Sequence, residues 1–405
     1  MSNEVRHGLE VENEPTRDVP EMTERLVTRR VGWFLLFAFT ANSALSLLFA
    51  VLPLFASETS GSQVAAGLTT GTMMLVTVLV ELVTPNLMAR LGYRHTLELG
   101  VALLGFPALT LLLTPNIVVI LLVAATRGSG LAISVVATTA LAAQLFPVHR
   151  RAEGLGVFGA VISVPAIALL PLGLWLADTV SFDLTFVLAA VIAAAALAIG
   201  HTLPDVHPGA APTHGVMTEL REPGILRPTV IFGLSTFAVG ILITYLALAV
   251  PEEMRGVAAI GLFVQAVSTT ASRWVAGRLG DRHGSARLLA PAMLLAATGM
   301  ACIVATGNAA AVLAGMAVFG LGLGAAQNAS LAMLFERADR DRFAQVSVIW
   351  NLAYDAGMGI GAVGFGLVSD VTGYPWGFAL VALLLFVTVP IAWRDRAPAA
   401  VEQVS

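Results

Sequence analysis

Twelve long apolar runs follow one another along the 405 residues of this chain, and they restrict it to very few folds. A helix needs about 20 apolar residues to cross the hydrocarbon core of a bilayer, so the chain has room for about twelve crossings. Within lipid a spanning segment must satisfy its own backbone hydrogen bonds, as a helix does. The pattern predicts an all-α integral membrane protein with twelve transmembrane helices. The runs cover residues 31–55, 63–86, 96–113, 117–144, 154–177, 184–203, 229–250, 257–278, 287–306, 309–335, 343–368 and 376–393.

The composition agrees with a membrane protein and excludes several other classes. Hydrophobic residues make up 57% of the chain and charged residues 12%, with a mean hydropathy of +0.84, whereas about a quarter of a soluble domain is charged. The net charge is −4 and every basic residue is arginine, so we expect no nucleic-acid partner. The chain has no G-K-S/T phosphate loop and no zinc-type spacing of His or Cys. We therefore expect no ATP site, no metal and no other cofactor.

The arginines indicate how the helices are oriented, because basic residues near short loops stay on the cytoplasmic side of a membrane. When loops are assigned alternately to the two sides, all arginines lie on the side of both termini except Arg255 and the intramembrane Arg127 and Arg273. Residues 1–28 are polar without an early apolar core, so the first run is a retained helix. We expect a multi-pass protein of the cell membrane (plasma or inner), with both termini in the cytoplasm.

The second half of the chain repeats the first at an offset of 192 residues. The polar segment 277–284 corresponds to residues 85–92, and Gly128 corresponds to Gly320. A repeat over such a distance indicates duplication, which predicts two pseudo-symmetric six-helix bundles with a cavity between them. We expect a polar cytoplasmic N-terminal tail (1–28), an N-terminal bundle (29–203), a cytoplasmic linker (204–228), a C-terminal bundle (229–393) and a C-terminal tail (394–405).

The repeated polar segment carries the signature G-x-x-x-D-R-x-G. The residues that match it are Gly277, Asp281, Arg282 and Gly284 in the second half and Arg90, Gly92 and Arg94 in the first. On these residues the chain resembles the major facilitator superfamily (MFS), and its drug and metabolite efflux members in particular, from about residue 31 to 393. The resemblance implies that Asp281 and Arg282 form a charge latch at the cytoplasmic face. The alternative is a plain glycine turn flanked by basic residues.

Four charged residues lie inside the apolar runs, where each charge costs roughly 2.5–3.5 kcal/mol on insertion scales. We interpret Glu81 and Asp355 as candidate proton carriers, because a carboxyl group shielded from water can take up and release a proton; a structural ion pair is the alternative. Arg127 resembles the arginine of the family's fourth helix, which implies contact with an anionic substrate or a neighbouring carboxylate. Arg273 is either a second functional charge or an anchor that reaches the membrane surface.

Polar uncharged residues in the apolar runs are further cavity candidates, because lipid offers them no partner. Asn351 and Asp355 are four residues apart and share one helical face, with Tyr354 beside them. Substrate contact and hydrogen bonding between helices both remain open for these residues. The complete set of substrate-cavity candidates is Asn42, Arg127, Tyr245, Gln327, Asn328, Asn351 and Tyr354.

These features predict a secondary active transporter and not an enzyme, since no nucleophile–base pair or metal triad falls at membrane depth. We expect proton-coupled export of a small amphipathic drug or metabolite by alternating access, because an apolar cavity lining suits such a compound. The alternative is an importer or uniporter of a small organic anion that uses Arg127. The expected partners are a small-molecule substrate, protons and the lipid bilayer, and the family resemblance implies a monomer.

Overall fold

A computed structural model of the protein describes residues 28–146, 151–204, 222–338 and 343–395. These residues form helices and their connections, without a strand. Within this part of the chain, twelve helices are long and apolar enough to cross a membrane. The prediction of an all-helical membrane fold is confirmed. Most of the predicted tails and of the linker between the bundles lies outside the described residues.

The membrane-spanning helices are labelled α1 to α12 in chain order. Helix α1 is Arg29–Phe49 and continues beyond Ala50 as Val51–Ser60. We call the end of the molecule at which α1 begins and α12 ends the terminal end, and the opposite end the far end. The other helices are α2 (Gln63–Glu81), α3 (Thr84–Gly105), α4 (Ile117–Leu145), α5 (Arg151–Thr179), α6 (Phe182–Gly200), α7 (Pro223–Ala249), α8 (Arg255–His283), α9 (Ala286–Ile303), α10 (Ala309–Arg337), α11 (Phe343–Thr372) and α12 (Tyr374–Arg394).

Helix packing repeats between the first six helices and the last six. In the first half α1 packs against α5, α2 against α4, and α3 against α4 and α6. In the second half α7 packs against α11, α8 against α10, and α9 against α10 and α12, so every pair has its counterpart six helices later. The two halves meet where α2 packs on α11 and α5 on α8. This arrangement confirms the two pseudo-symmetric six-helix bundles.

Equivalent glycines bring equivalent helices into contact. A Cβ atom on Gly128 of α4 would clash with the carbonyl oxygen of Met73 in α2. A Cβ atom on Gly320 of α10 would lie 2.5 Å from the carbonyl oxygen of Gln265 in α8. Gln265 follows Met73 by the same 192 residues that separate the two glycines. Backbones approach this closely only where no side chain intervenes, so the sequence repeat is also a repeat of contacts.

Two turn glycines occupy equivalent positions at the terminal end. Gly92 (φ 76°) interrupts α3 and Gly284 (φ 85°) follows the last residue of α8, both in the left-handed region that glycine adopts without strain. The apolar run predicts a third helix from residue 96, whereas α3 begins at Thr84 because helical structure continues through the polar segment on both sides of Gly92. Helix α8 likewise continues through the signature to His283.

Candidate functional site

A cavity lies between the two bundles and consists of two adjoining chambers. The first chamber has a volume of about 340 Å³ and the second about 230 Å³. Helices from both bundles form the walls, so a movement of one bundle against the other changes the shape of the cavity. The residues that line both chambers are Leu45, Phe49, Arg273, Gln327 and Tyr354.

Two carboxyl groups from different bundles meet in the first chamber. Glu81 is the last residue of α2 and Asp355 lies in α11, and their carboxyl groups lie close enough to form a hydrogen bond with each other. Two carboxylates cannot form such a bond, because neither has a proton to donate, so the bond requires that one of the two groups be protonated. The pair is therefore a place where one proton can be shared across the boundary between the bundles.

A proline explains why Glu81 stands at the end of a helix. Pro85 has no N–H group to donate to the carbonyl oxygen of Glu81 four residues earlier, so α2 stops there and α3 begins at Thr84. In the turn between the two helices, the hydroxyl of Thr84 donates to the carbonyl oxygen of Val80 at 2.7 Å. Pro85 stands where the family signature has glycine, and it interrupts the helix directly beside the carboxyl group.

The polar face predicted for α11 lines the first chamber. Asn351, Tyr354 and Asp355 all form part of its wall. Trp350 lies in the same wall and stacks on Phe232 of α7, with ring centroids 4.5 Å apart and ring planes 9° apart. The chamber therefore combines flat aromatic surface with amide and carboxyl groups, which suits a compound that is partly apolar and partly polar.

Arg273 of α8 reaches into both chambers. Its side chain is exposed to the cavity and takes part in no ion pair or hydrogen bond with another described residue, although Tyr354 lies close enough to interact with its charge. Gln265 and Thr269 precede it at four-residue intervals and line the second chamber, so α8 presents a polar face there. Sequence reasoning missed this face, although three polar residues spaced by four in an apolar run are a visible signal.

Arg127 lies outside the chamber walls, and the prediction that it faces the cavity is not met in this conformation. Its side chain is fully buried within the first bundle. The guanidinium donates to the carbonyl oxygen of Leu104 in α3 and, at 3.0 Å, to that of Leu45 in α1. The adjacent Gly128 packs against α2, which directs this face of α4 into the bundle. Arg127 therefore links three helices of one bundle.

Three amide side chains among the predicted cavity residues occupy different places. Asn42 lines the second chamber, where its Nδ2 donates to the carbonyl oxygen of Ile162 at 2.5 Å. Gln327 lines both chambers, and its buried Oε1 accepts no hydrogen bond from a described residue. Asn328 lies beside Gly277 of α8 and is not part of the chamber walls. Two of the three amides thus reach the cavity.

The two bundles are joined at the far end. Arg255, the first residue of α8, forms ion pairs with Glu58 of α1 at 2.9 Å and with Asp178 of α5 at 3.3 Å. Tyr245, a predicted cavity residue, is instead fully buried at this interface, where its hydroxyl lies 2.9 Å from the carbonyl oxygen of Ala362 in its own bundle and 3.2 Å from that of Gln63 in the other. Both ion pairs and the contact with Gln63 cross from one bundle to the other.

The signature residues lie at the terminal end. Arg90 and Arg282 are exposed, whereas Arg94 forms an ion pair with Glu98 at 3.2 Å within the first bundle. The backbone of Asp281 belongs to α8, but its side chain lies outside the described part of the structure. The charge latch of Asp281 and Arg282 therefore stays a prediction.

A groove on the outer surface leads to the same carboxyl pair. Helices α2 and α11 border this groove, which has a volume of about 550 Å³ and shares Met74 and Asp355 with the first chamber. Leu75 and Ile360 on its walls are 61% and 64% exposed. Asp355 thus stands between the central cavity and the surface that faces lipid.

Comparisons with known proteins agree with this architecture. The sequence profile of the Major Facilitator Superfamily matches residues 32–273 and 229–405. The chain is similar in structure to a mutant of the nucleoside transporter NupG, with a TM-score of 0.72, 11% identity and coverage of 90% of this chain and 100% of that one. It is also similar to a bacterial homologue of the human lysosomal transporter Spinster in an inward-facing, unoccupied conformation (TM-score 0.71, 14% identity, coverage 91% and 98%).

A third similar structure is a POT family transporter in complex with a thioalcohol-conjugated peptide (TM-score 0.72, 13% identity, coverage 90% and 95%). No curated protein sequence matches the chain. Identities this low establish the fold alone, whereas the sequence profile extends over both bundles. With its twelve helices, its repeated packing and its central cavity, the chain belongs to the major facilitator superfamily of membrane transporters.

Proposed function

We propose that this MFS transporter couples the passage of its substrate to proton movement through Glu81 and Asp355. The observation that most supports coupling is the close approach of these two carboxyl groups, which come from opposite bundles and line the first chamber. A proton held there stabilises the contact between α2 and α11. The presence or absence of this proton therefore changes both the relative position of the bundles and the charge of the cavity.

Loss of the shared proton turns the pair into two carboxylates of like charge. At a separation of about 4 Å and an effective dielectric constant of about 20, such charges repel each other by roughly 4 kcal/mol. A change of that size alters the ratio of two conformations by up to about a thousandfold. Deprotonation therefore favours a conformation in which α2 and α11 move apart, and reprotonation restores the contact.

Export of a small amphipathic compound fits the joined far end and the cavity lining. Arg255 and Tyr245 hold the bundles together at the far end, while the distribution of arginines predicts that the terminal end is cytoplasmic. The substrate would enter from the cytoplasm, release the proton from the carboxyl pair and leave on the other side. The proposal includes both termini in the cytoplasm and the protein in the plasma or inner membrane. One chain supplies the whole cavity, which supports a monomer.

A second candidate function is import or uniport of a small organic anion, and Arg273 is the observation that favours it. Its guanidinium lies in both chambers without an ion-pair partner among the described residues, so it could pair with a carboxylate of the substrate. Arg127, to which the sequence assigns this role, lies outside the chamber walls. If the protein carries anions, Arg273→Gln should abolish transport. If the Arg273→Gln variant still carries uncharged compounds together with protons, the result supports export.

Proton flux into proteoliposomes that contain a pH-sensitive dye tests the proposed coupling. With a panel of amphipathic amines, carboxylates and neutral compounds, we expect the wild type to show proton flux that depends on a substrate. Glu81→Gln and Asp355→Asn should each abolish this flux. Glu253→Gln, which removes an exposed carboxyl group before α8, is the matched control and should behave as the wild type. Substrate transport without proton flux in all four proteins would refute coupling and leave a uniporter.

A further inference from the structure

The groove between α2 and α11 is the largest of the cavities described above. Its volume of about 550 Å³ exceeds that of either chamber. Its walls are apolar or small, and among the described residues Asp355 is the one ionisable group in them. An ionisable residue at the base of an apolar, lipid-facing groove is costly and indicates a function.

The two helices touch along one edge of the groove and leave space along the other. On the closed edge, a Cβ atom on Gly67 would lie 2.5 Å from the carbonyl oxygen of Ala362, and one on Gly71 would clash with the side chain of Val363. On the open edge, a Cβ atom on Gly364 would meet nothing within 4 Å. The groove is therefore closed where α2 and α11 touch and empty beside Gly364.

Met74 separates the groove from the first chamber. It forms part of both walls and is 1% exposed. Its side chain packs on Gly359 of α11, where a Cβ atom would lie 2.8 Å from the Cβ of Met74. An unbranched methionine has three rotatable bonds and repacks readily. A change of its rotamer would join the groove to the chamber beside Asp355.

We propose that this groove is the path by which a lipophilic ammonium compound dissolved in the bilayer reaches Asp355. The hydrocarbon body of the compound lies against the apolar walls, and its cationic head pairs with the carboxylate at the inner end. Within the described part of the chain, no basic residue lines the groove to repel that head. The ammonium group takes the place of the proton that Asp355 shares with Glu81, so this inference rests on the proposed proton coupling and names the substrate class.

A fluorophore placed in the groove tests the inference without a known substrate. In a Cys302→Ser background, Gly364→Cys carries a bimane label in the groove. Val191→Cys, at a position in α6 that is 57% exposed on the surface of the first bundle, is the control. The labelled protein is held in lipid nanodiscs. The quencher is an alkylammonium compound with a nitroxide on its chain, compared with the fatty carboxylate and the alcohol of the same length.

We expect the ammonium compound to quench the label at Gly364 saturably, with a half-saturating concentration about tenfold below that of the carboxylate or the alcohol, as one added ion pair of roughly 1.4 kcal/mol would give. Adding Asp355→Asn should remove this preference, and quenching at Val191 should be weak and unsaturable. If the label is quenched equally and without saturation at both positions, the quencher reaches it only from the bulk lipid, and the inference is overturned. Preferred binding of the carboxylate would also overturn it.

This experiment tests binding in the groove independently of proton coupling, because quenching requires no proton gradient. Saturable ammonium binding at Gly364 together with an absence of proton flux in proteoliposomes would refute the coupling and retain the binding site. Proton flux with unsaturable quenching would retain the coupling and refute the groove as the path. Glu81→Gln should abolish flux and leave the quenching at Gly364 saturable.

Discussion

Arg255 joins the bundles at the far end, and removal of its charge should open that end. Its guanidinium lies 2.9 Å from Glu58 and 3.3 Å from Asp178, and the three side chains are between 22% and 35% exposed. Partly exposed pairs contribute about 1 kcal/mol each, so Arg255→Gln should destabilise the closed far end by about 2 kcal/mol. This change corresponds to roughly a 30-fold shift in the ratio of closed to open molecules.

Distances between two spin labels, measured by pulsed electron paramagnetic resonance, report this ratio. Val180→Cys and Gly307→Cys in the Cys302→Ser chain place one exposed label on each bundle at the far end. We expect mainly the short distance in the parent protein and a large long-distance population after Arg255→Gln. High salt should shift the parent in the same direction, because it screens the ion pairs. Glu253→Gln is the control on the neighbouring loop. Identical distributions for the parent and Arg255→Gln would refute the reasoning.

Close packing and buried hydrogen bonds provide two more tests, both measured by thermal unfolding in detergent. Gly320→Ala should lower the unfolding temperature, because its methyl group would lie 2.5 Å from a carbonyl oxygen of α8 and overpacking costs about 1–3 kcal/mol. Gly159→Ala has open space and should change little, so equal effects would contradict the packing argument. Arg127→Gln should also lower the unfolding temperature, since hydrogen bonds from a charged group contribute about 1.5–3 kcal/mol each. It should not alter which compounds are carried, and an altered substrate charge preference with normal stability would place Arg127 in the cavity.

The helices and their duplication could be predicted because a bilayer permits few alternatives to an apolar helix. The equivalence of Gly128 and Gly320 in the sequence became an equivalence of helix contacts in the structure. The exact ends of helices depended on single residues. The second apolar run extends to residue 86, yet α2 ends at Glu81, because Pro85 removes the hydrogen bond that would continue it.

The members of the candidate site could be predicted better than their arrangement. The rarity of charges in apolar runs singled out Glu81 and Asp355, and both line the first chamber. Their mutual contact could not be predicted, since it depends on which helices meet across the boundary between bundles. Arg127 and Arg273 show the same limit. Both are cations within apolar runs. Tertiary packing sets the rotation of each helix about its axis, and this rotation buries Arg127 and exposes Arg273 to the cavity.

The central claim is that Glu81 and Asp355 share a proton, and infrared spectroscopy of the transporter in lipid measures that proton most directly. A protonated carboxyl group has a carbonyl stretching band separate from the carboxylate bands, and the band shifts in D₂O. We predict such a band in the wild type near neutral pH, its loss in the Glu81→Gln, Asp355→Asn double variant, and its decrease when an alkylammonium compound binds. A band that is absent from the wild type, or that persists unchanged in the double variant, would contradict the claim.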